Sequence, residues 1–288
     1  MAGTVLLATA CSQEAVISEN EEQEYAPVTV RVNDFSMSLD EFSDTRAEQT
    51  AEAYTGVKAI TLAFYGNNNA EVYNTTQLRG DGTYTTFGEF TCNLPIGTYT
   101  MVVIGRGHSE GDEFTLTSPV LAQYTSEKAR ETFCATQTVT VTSTTPLTLT
   151  PTVNRVISKL EIISTDGRSA GATTVRAAFG AGGKSFSPTS GLATADDGFS
   201  ISVQPSTAVG NPINVAGYLF LASDEEDMDI TIQVFDAVGT SLFTKVIEDV
   251  PFKRNRVTRL TGPVFSASAS SAAFTFETAW LEDKVINF

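Results

Sequence analysis

The sequence predicts an all-β protein built as two β-sandwiches in tandem, and three observations carry that expectation. Thr, Ser, Val, Ala, Gly and Phe dominate, without long runs of helix formers, a composition suited to pleated, half-buried strands. Apolar side chains recur with a period of two along most of the chain. The apolar runs fall about every ten residues, the rhythm of a sandwich, and turn signals separate them: Gly80-Asp81-Gly82, Asp166-Gly167, Asp197-Gly198 and Val238-Gly239. The 288 residues exceed one ordinary core and suit two domains of about 130 residues each. No short internal repeat is present, which argues against a solenoid or propeller.

The first ten residues, Met-Ala-Gly-Thr-Val-Leu-Leu-Ala-Thr-Ala, precede Cys11 and read as the end of a secretory apolar region with a small-residue cleavage site. Leu7-Ala8-Thr9-Ala10-Cys11 resembles a bacterial lipobox, in which Cys11 carries the lipid. It departs from the usual pattern in having Ala8 where the leucine stands, and no basic segment precedes it. The other reading is an apolar N-terminus with a free thiol. Glu14, Glu19, Glu21, Glu22 and Glu24 follow and read as a solvated tether. Residues 1–25 are therefore expected to be signal remnant, lipobox and tether. Residues 26–152 are expected to form the first sandwich, and 153–288 the second.

Val28, Val30 and Val32 alternate with polar residues, as do Phe35, Met37 and Leu39. The parity changes between the triplets, which predicts a bulge near Asn33-Asp34 that keeps both on one face. Residues 40–56 are polar and read as an exposed, protease-accessible loop. Ile60, Leu62 and Phe64 form the next stripe, followed by a buried-type strand over 98–104. Val139 and Val141, then Leu147 and Leu149, close the first series. A short helix is expected around Ser126 to Phe133. In the second series 156–163 reads as a strand, 215–221 as a central apolar one, and Ile230, Ile232 and Val234 alternate cleanly. Strands over 241–246 and 257–261 follow, and Phe274, Phe276 and Trp280 form the last stripe. Cys92 and Cys134 allow a disulfide or two buried free thiols.

Composition restricts function. With 18 Lys+Arg and 34 Asp+Glu the net charge is 18 − 34 = −16, which repels phosphate backbones and argues against nucleic-acid partners. No segment reaches the length of an apolar membrane span. A single histidine leaves room for one His-based acid–base or metal site at most. Gly180-Ala181-Gly182-Gly183-Lys184-Ser185 resembles a phosphate-cradling loop, but Ala178 stands where the first glycine is needed and Pro188 breaks the helix that should follow. His108 lies in a glycine-rich loop with no nucleophile elbow in the chain. Asp224-Glu225-Glu226-Asp227 with Asp229 offers oxygens to calcium in no EF-hand spacing, and reads as a charged turn. Arg79-Gly80-Asp81 is short enough to arise by chance, and Asn74-Thr75-Thr76 is an N-glycosylation sequon that a bacterial lipoprotein would rarely use. No cofactor, metal site or catalytic constellation is expected, and the chain does not read as an enzyme.

The order of motifs resembles the fimbrillin family, subunits of type V fimbriae. The residues are the lipobox and acidic tether, the alternating strand, Thr45-Arg46-Ala47, and Val57-Lys58-Ala59-Ile60-Thr61-Leu62-Ala63-Phe64-Tyr65-Gly66. Leu94-Pro95-Ile96-Gly97-Thr98-Tyr99 leading into an apolar strand, Asn154-Arg155-Val156-Ile157-Ser158-Lys159-Leu160, and Lys253-Arg254-Asn255-Arg256-Val257-Thr258 before Phe274 to Trp280 extend it over the whole chain. The resemblance implies transthyretin-like, Greek-key sandwiches on an outer-membrane lipid anchor, exposed at the cell surface. It implies cleavage by an arginine-specific protease at Arg46–Ala47 and removal of residues 28–39 (Val28, Val30, Val32, Phe35, Met37, Leu39). The vacated place would be filled by a strand from residues 266–288 (Phe274, Phe276, Trp280) of another copy or a related subunit, head to tail.

Physics makes such an exchange workable. Each buried apolar side chain of residues 28–39 is worth about 1.5–3 kcal/mol, and a whole domain is stable by only about 5–15 kcal/mol. Losing the strand brings the sandwich close to unfolding, and a matching strand restores it. A head-to-tail contact of this kind builds filaments rather than closed dimers. A stalk subunit is the reading preferred, because Arg46 sits in a cuttable loop. The alternatives are an uncut anchor or accessory subunit, and, in another class, a surface glycan-binding lipoprotein. Host or bacterial surface molecules are possible adhesion ligands.

Overall fold

The computed structural model describes residues 23–32, 34–36, 48–126, 128–266 and 275–278. Of the residues singled out above, Cys11, Met37, Leu39, Arg46, Ala47, Phe274 and Trp280 lie outside them, and Phe276 is described by its backbone alone.

The N-terminal half contains β1 (Tyr25–Arg31), β2 (Asp34–Ser36), β3 (Glu48–Thr50), β4 (Ala59–Tyr65), β5 (Glu71–Leu78), β6 (Glu89–Pro95), β7 (Gly97–Arg106), β8 (Phe114–Ser118), β9 (Leu121–Tyr124), β10 (Thr132–Val141), β11 (Leu147–Leu149) and β12 (Thr152–Arg155). A three-stranded sheet in the order β11-β1-β6 packs on a seven-stranded sheet in the order β3-β2-β12-β10-β7-β4-β5. Between them lies a core that draws on β1, β2, β4, β6, β7, β10 and β12. β1 and β2 lie in different sheets, so the expected bulge is a change of sheet between them. Val32 and Phe35 still face the same core, which is what the change of parity requires.

The C-terminal half contains β13 (Ser158–Ser164), β14 (Thr174–Phe179), β15 (Ser185–Phe186), β16 (Phe199–Val203), β17 (Asn214–Leu219), β18 (Glu225–Phe235), β19 (Ser241–Lys253), β20 (Val257–Gly262) and β21 (Thr275–Thr278). Sheets β17-β13-β20-β21 and β16-β14-β18-β19 enclose a second core. The protein is thus all-β, two sandwiches in tandem. β17 ends its sheet rather than standing at the centre, yet Val215 and Leu219 are buried because the facing sheet covers them.

A third core joins the halves. β4 is buried along its whole length: Ile60, Leu62 and Phe64 face the first core, while Ala63 and Tyr65 face outward. The outward face is covered by the sheet β15-β9-β8 and by Phe220, so strands of both halves build it. Phe186 and Phe220 stack there with ring centroids 4.3 Å apart. Among the described residues β12, which spans the expected boundary at 152–153, pairs only with strands of the N-terminal half, β10 and β2.

Two expectations are corrected, and the open question of the cysteines is answered. Among the described residues of 126–133 no helix forms: Thr132 opens β10, which pairs with β7 over ten residues, and that ladder overrides local helix propensity. Residues 48–50 of the expected loop form β3 against β2. Cys92 and Cys134 are free. Cys92 packs on the first core and Cys134 in the third, on opposite sides of the seven-stranded sheet. Burial pushes the Cys92 thiol up to about 11 and raises Cys134 as well.

Candidate functional site: the first-strand lane

β1 is the middle strand of its sheet, antiparallel to β6 and parallel to β11. Alternation alone puts Ala26, Val28 and Val30 inward and Pro27, Thr29 and Arg31 outward. Ala26, Val28 and Val30 are fully buried, and Val32 is nearly so. Among the described residues β1 is the only strand that either β6 or β11 pairs with. Without it both would face each other across a gap with unpaired backbone groups, and the first core would lie open. The outward Arg31 meets Glu89 at 3.4 Å in an exposed pair, which contributes little.

β2 continues the lane in the other sheet, parallel to β12 and antiparallel to β3. Phe35 is fully buried. Its ring meets Phe133 edge-on at 5.1 Å and Tyr54 at 6.4 Å. The floor of this socket is Gly105: a Cβ there would lie 3.0 Å from Phe35 Cζ and closer still to Cε1. Glycine is required because the ring takes the space of a side chain.

The segment after β3 is pinned from below. Arg79 Nε donates to the Val57 carbonyl at 2.8 Å, and its Nη2 donates to Ala51 and Tyr54 carbonyls at 2.5 and 3.2 Å. The guanidinium also lies 4.2 Å over the Phe87 ring. Gln77 bolts the two sheets together at the same end, accepting from Gly88 N at 2.8 Å and donating to the Glu89 carbonyl at 2.7 Å. Neither role was visible in the sequence, because the partners are backbone groups distant along the chain.

The lane also reaches the joint between the halves. Tyr54 OH donates to the Glu131 carboxylate at 2.7 and 2.8 Å. Burial, then the Glu131 charge, raises the Tyr54 phenol. Glu131 in turn pairs with Arg155 Nη2 at 2.8 Å. The same guanidinium donates to Asn255 Oδ1 at 3.1 Å and lies 4.9 Å over the Phe133 ring. Asn255 N donates to the Ile157 carbonyl at 3.2 Å.

The other motifs are occupied by the fold. Arg79 points inward as described, while Asp81 is exposed and accepts from Thr83 N at 2.9 Å and Thr83 Oγ1 at 2.8 Å, so the two charges of Arg-Gly-Asp are not displayed together. In the glycine-rich turn, a Cβ on Gly183 would collide with the Ala195 carbonyl, and Lys184 Nζ donates to the Ser126 carbonyl at 2.8 Å. His108 Nδ1 lies 3.3 Å from Arg106 Nη1. Asp224 and Glu225 each pair at 2.6 Å, with Arg254 and Lys253 respectively. Burial, then the Asp196 carboxyl, holds Glu226 above the usual carboxylate range. Asn74 of the sequon donates to Glu71 at 2.9 Å. Among the described residues no group of three or more His, Cys, Asp or Glu could hold a metal ion, and no helix is long and apolar enough to cross a membrane.

Solved structures share this architecture at low identity. A candidate polysaccharide-binding protein from Bacteroides thetaiotaomicron aligns at TM-score 0.54 and 11% identity, covering 90% of this chain and 99% of that one. A candidate adhesin from Bacteroides ovatus aligns at TM-score 0.53 and 10% identity, covering 93% and 98%. The fimbrial anchor protein Mfa2 from Porphyromonas gingivalis aligns at TM-score 0.51 and 11% identity, covering 88% and 95%. Identities this low speak for the fold alone. No curated protein sequence matches. Residues 25–280 match the model of a family of unknown function, DUF6562, and the chain belongs to that family.

Proposed function

We propose that the chain is a structural subunit of a cell-surface fimbria, tethered to the outer membrane through a lipid on Cys11. It polymerises by strand exchange after cleavage at Arg46–Ala47 releases it from that anchor and removes residues 28–39, and a donor strand from 266–288 of the next subunit takes their place. The observation that carries this reading is the position of β1: paired on both sides, with an inward face of Ala26, Val28 and Val30, and contributed by a segment whose exit runs through residues 37–47. A lane of that kind accepts another extended strand of matching alternation without rebuilding the rest. Similarity of fold to the fimbrial anchor Mfa2 fits the same class and supports, as a variant, an anchor that keeps its first strand. Digestion of the full chain with an arginine-specific protease tests the reading. Cleavage at Arg46–Ala47 should yield concentration-dependent filaments by size-exclusion chromatography and light scattering, and Arg46→Lys should block both. A cut chain that stays monomeric overturns polymerisation.

A groove of about 530 Å³ between edge strands β5 and β6 favours a second reading, a glycan-binding surface protein. Tyr73, Tyr84 and Phe90 supply rings, and Thr75, Thr86 and Thr91 supply hydroxyls. Rings with uncharged hydroxyls suit neutral sugars, and the candidate polysaccharide binder of the same fold points the same way. Calorimetry with a panel of neutral hexasaccharides distinguishes the two: saturable binding abolished by Tyr84→Ala supports it, and no heat with any of them removes it.

A further inference from the structure

The lane of the first strand holds two different kinds of contact, and they are separated by the change of sheet. The β1 part fills a stripe of aliphatic positions between β6 and β11. The β2 part inserts one aromatic ring into a socket made of Gly105, Tyr54, Phe133 and Val57. The rings that touch Phe35 are the ones that hold the joint: Tyr54 donates to Glu131, and Phe133 lies under the Arg155 guanidinium. Arg155 joins Glu131 of the N-terminal half to Asn255 of the C-terminal half. The backbone makes the same connection, because Val153 stands opposite Phe35 in the parallel β2–β12 pair. β12 then runs through Val156, whose N–H donates to the Thr132 carbonyl, into Ile157, which accepts from Asn255.

We propose that Phe35 is the specificity element of the exchangeable segment and the lock of the joint between the two halves. The socket opposite Gly105 takes an aromatic side chain from whichever strand fills the lane, and an aromatic there sets Tyr54, Glu131 and Arg155 in the geometry that fixes β12 against Asn255. An aliphatic residue of smaller section leaves Phe133 and Tyr54 unsupported and the joint loose. The partner half of the proposal rests on the strand-exchange reading. Its occupant is the C-terminal section of a second copy of this chain, which forms the edge strand β21 on its own β20 at Thr275–Thr278, would leave that edge to enter the lane, and carries rings at Phe274, Phe276 and Trp280. Emptying the lane would then unlock the halves, and filling it with an aromatic strand would relock them, so that a cut subunit stiffens again only when it has been joined.

Two measurements decide this. The first uses the uncut full chain and does not depend on exchange: amide hydrogen exchange of wild type, Phe35→Leu, Phe35→Ala and Val28→Ala. Both Phe35 variants should exchange at least tenfold faster over 152–157 and at Asn255. Val28→Ala should do so only in β6 and β11. Unchanged protection of 152–157 in Phe35→Leu, or equal deprotection in Val28→Ala, overturns the lock. The second adds a peptide of residues 266–288 to the chain after arginine-specific cleavage, and compares it with the same peptide carrying Leu for Phe274, Phe276 and Trp280. The aromatic peptide should bind at least tenfold more tightly by fluorescence anisotropy and restore protection at 152–157. Equal binding overturns the aromatic specificity. Binding of neither overturns strand exchange and with it the partner half, while the first measurement still decides the lock.

Discussion

Arg79 opens an Arg-Gly-Asp tripeptide, and the fold turns it away from solvent to bind carbonyls of residues 51–57. Several directed N–H groups on one planar head cannot be reproduced by an ammonium. Arg79→Ala should cost about 2–3 kcal/mol in urea unfolding, and Arg79→Lys should recover less than half of it. The clamp was illegible in the sequence because its acceptors carry no side-chain signature. Charge pairs are only partly better. Glu161 accepts from Arg259 Nε at 3.1 Å and Nη2 at 3.0 Å, across the parallel β13–β20 pair. Burial alone would favour the neutral acid, but hydrogen bonds and charges from Lys159 and Arg259 outweigh it and hold the carboxyl below the usual range. A lowered folded value means stabilisation that is present above the unfolded pKa of about 4.3 and is lost as pH falls through the folded value. Glu161→Gln should therefore lower stability at pH 7 by about 1–2 kcal/mol. The gap to wild type should close as the pH is taken below the carboxylate range, as read from denaturation midpoints across pH.

At the scale of the strand, period-two alternation carried most of the prediction, because a strand with one face in a core and one in water must alternate. Val28, Val30, Ile60, Leu62, Phe64, Ile230, Ile232 and Val234 all stand in a core as their alternation requires. Where alternation is silent, partners decide. β4 is buried on both sides, and the sequence alone did not indicate that a second layer covers its outer face. The change of sheet between β1 and β2 leaves the same parity signature as a bulge, so the two could be told apart only by the neighbours. The 126–133 segment holds good helix formers, yet Arg130 is tied to Asp112 by bonds of 2.7 and 2.8 Å and Thr132 enters a ladder. For the lane itself, Val30→Ala should cost about 2 kcal/mol by removing buried methyl groups. Thr29→Ala, one residue away on the outward face, should stay within about 0.5 kcal/mol. Equal costs would show that the inward face of β1 does not support the core.

For the whole molecule, the decisive feature is the third core, and no local pattern announced it, since Phe186 and Phe220 belong to one half while Ala63, Tyr65 and Ile104 belong to the other. Calorimetry should show one cooperative transition for the wild type. Phe186→Ala, which removes a fully buried ring, should cost about 3–5 kcal/mol and split the transition in two. The first-strand lane was legible as an amphipathic segment but not as a place, because both its sheets are completed by strands more than a hundred residues further on: Val28 stands beside Leu147, and Phe35 beside Val153. This spacing fixes an order of events at birth. A chain emerging from its N-terminus presents the valines of β1 long before β11 and β12 exist to receive them, and closing so distant a contact is slow. β1 is thus made early and seated late, and its inward valines stay uncovered until the berth formed by β6 and β11 is complete.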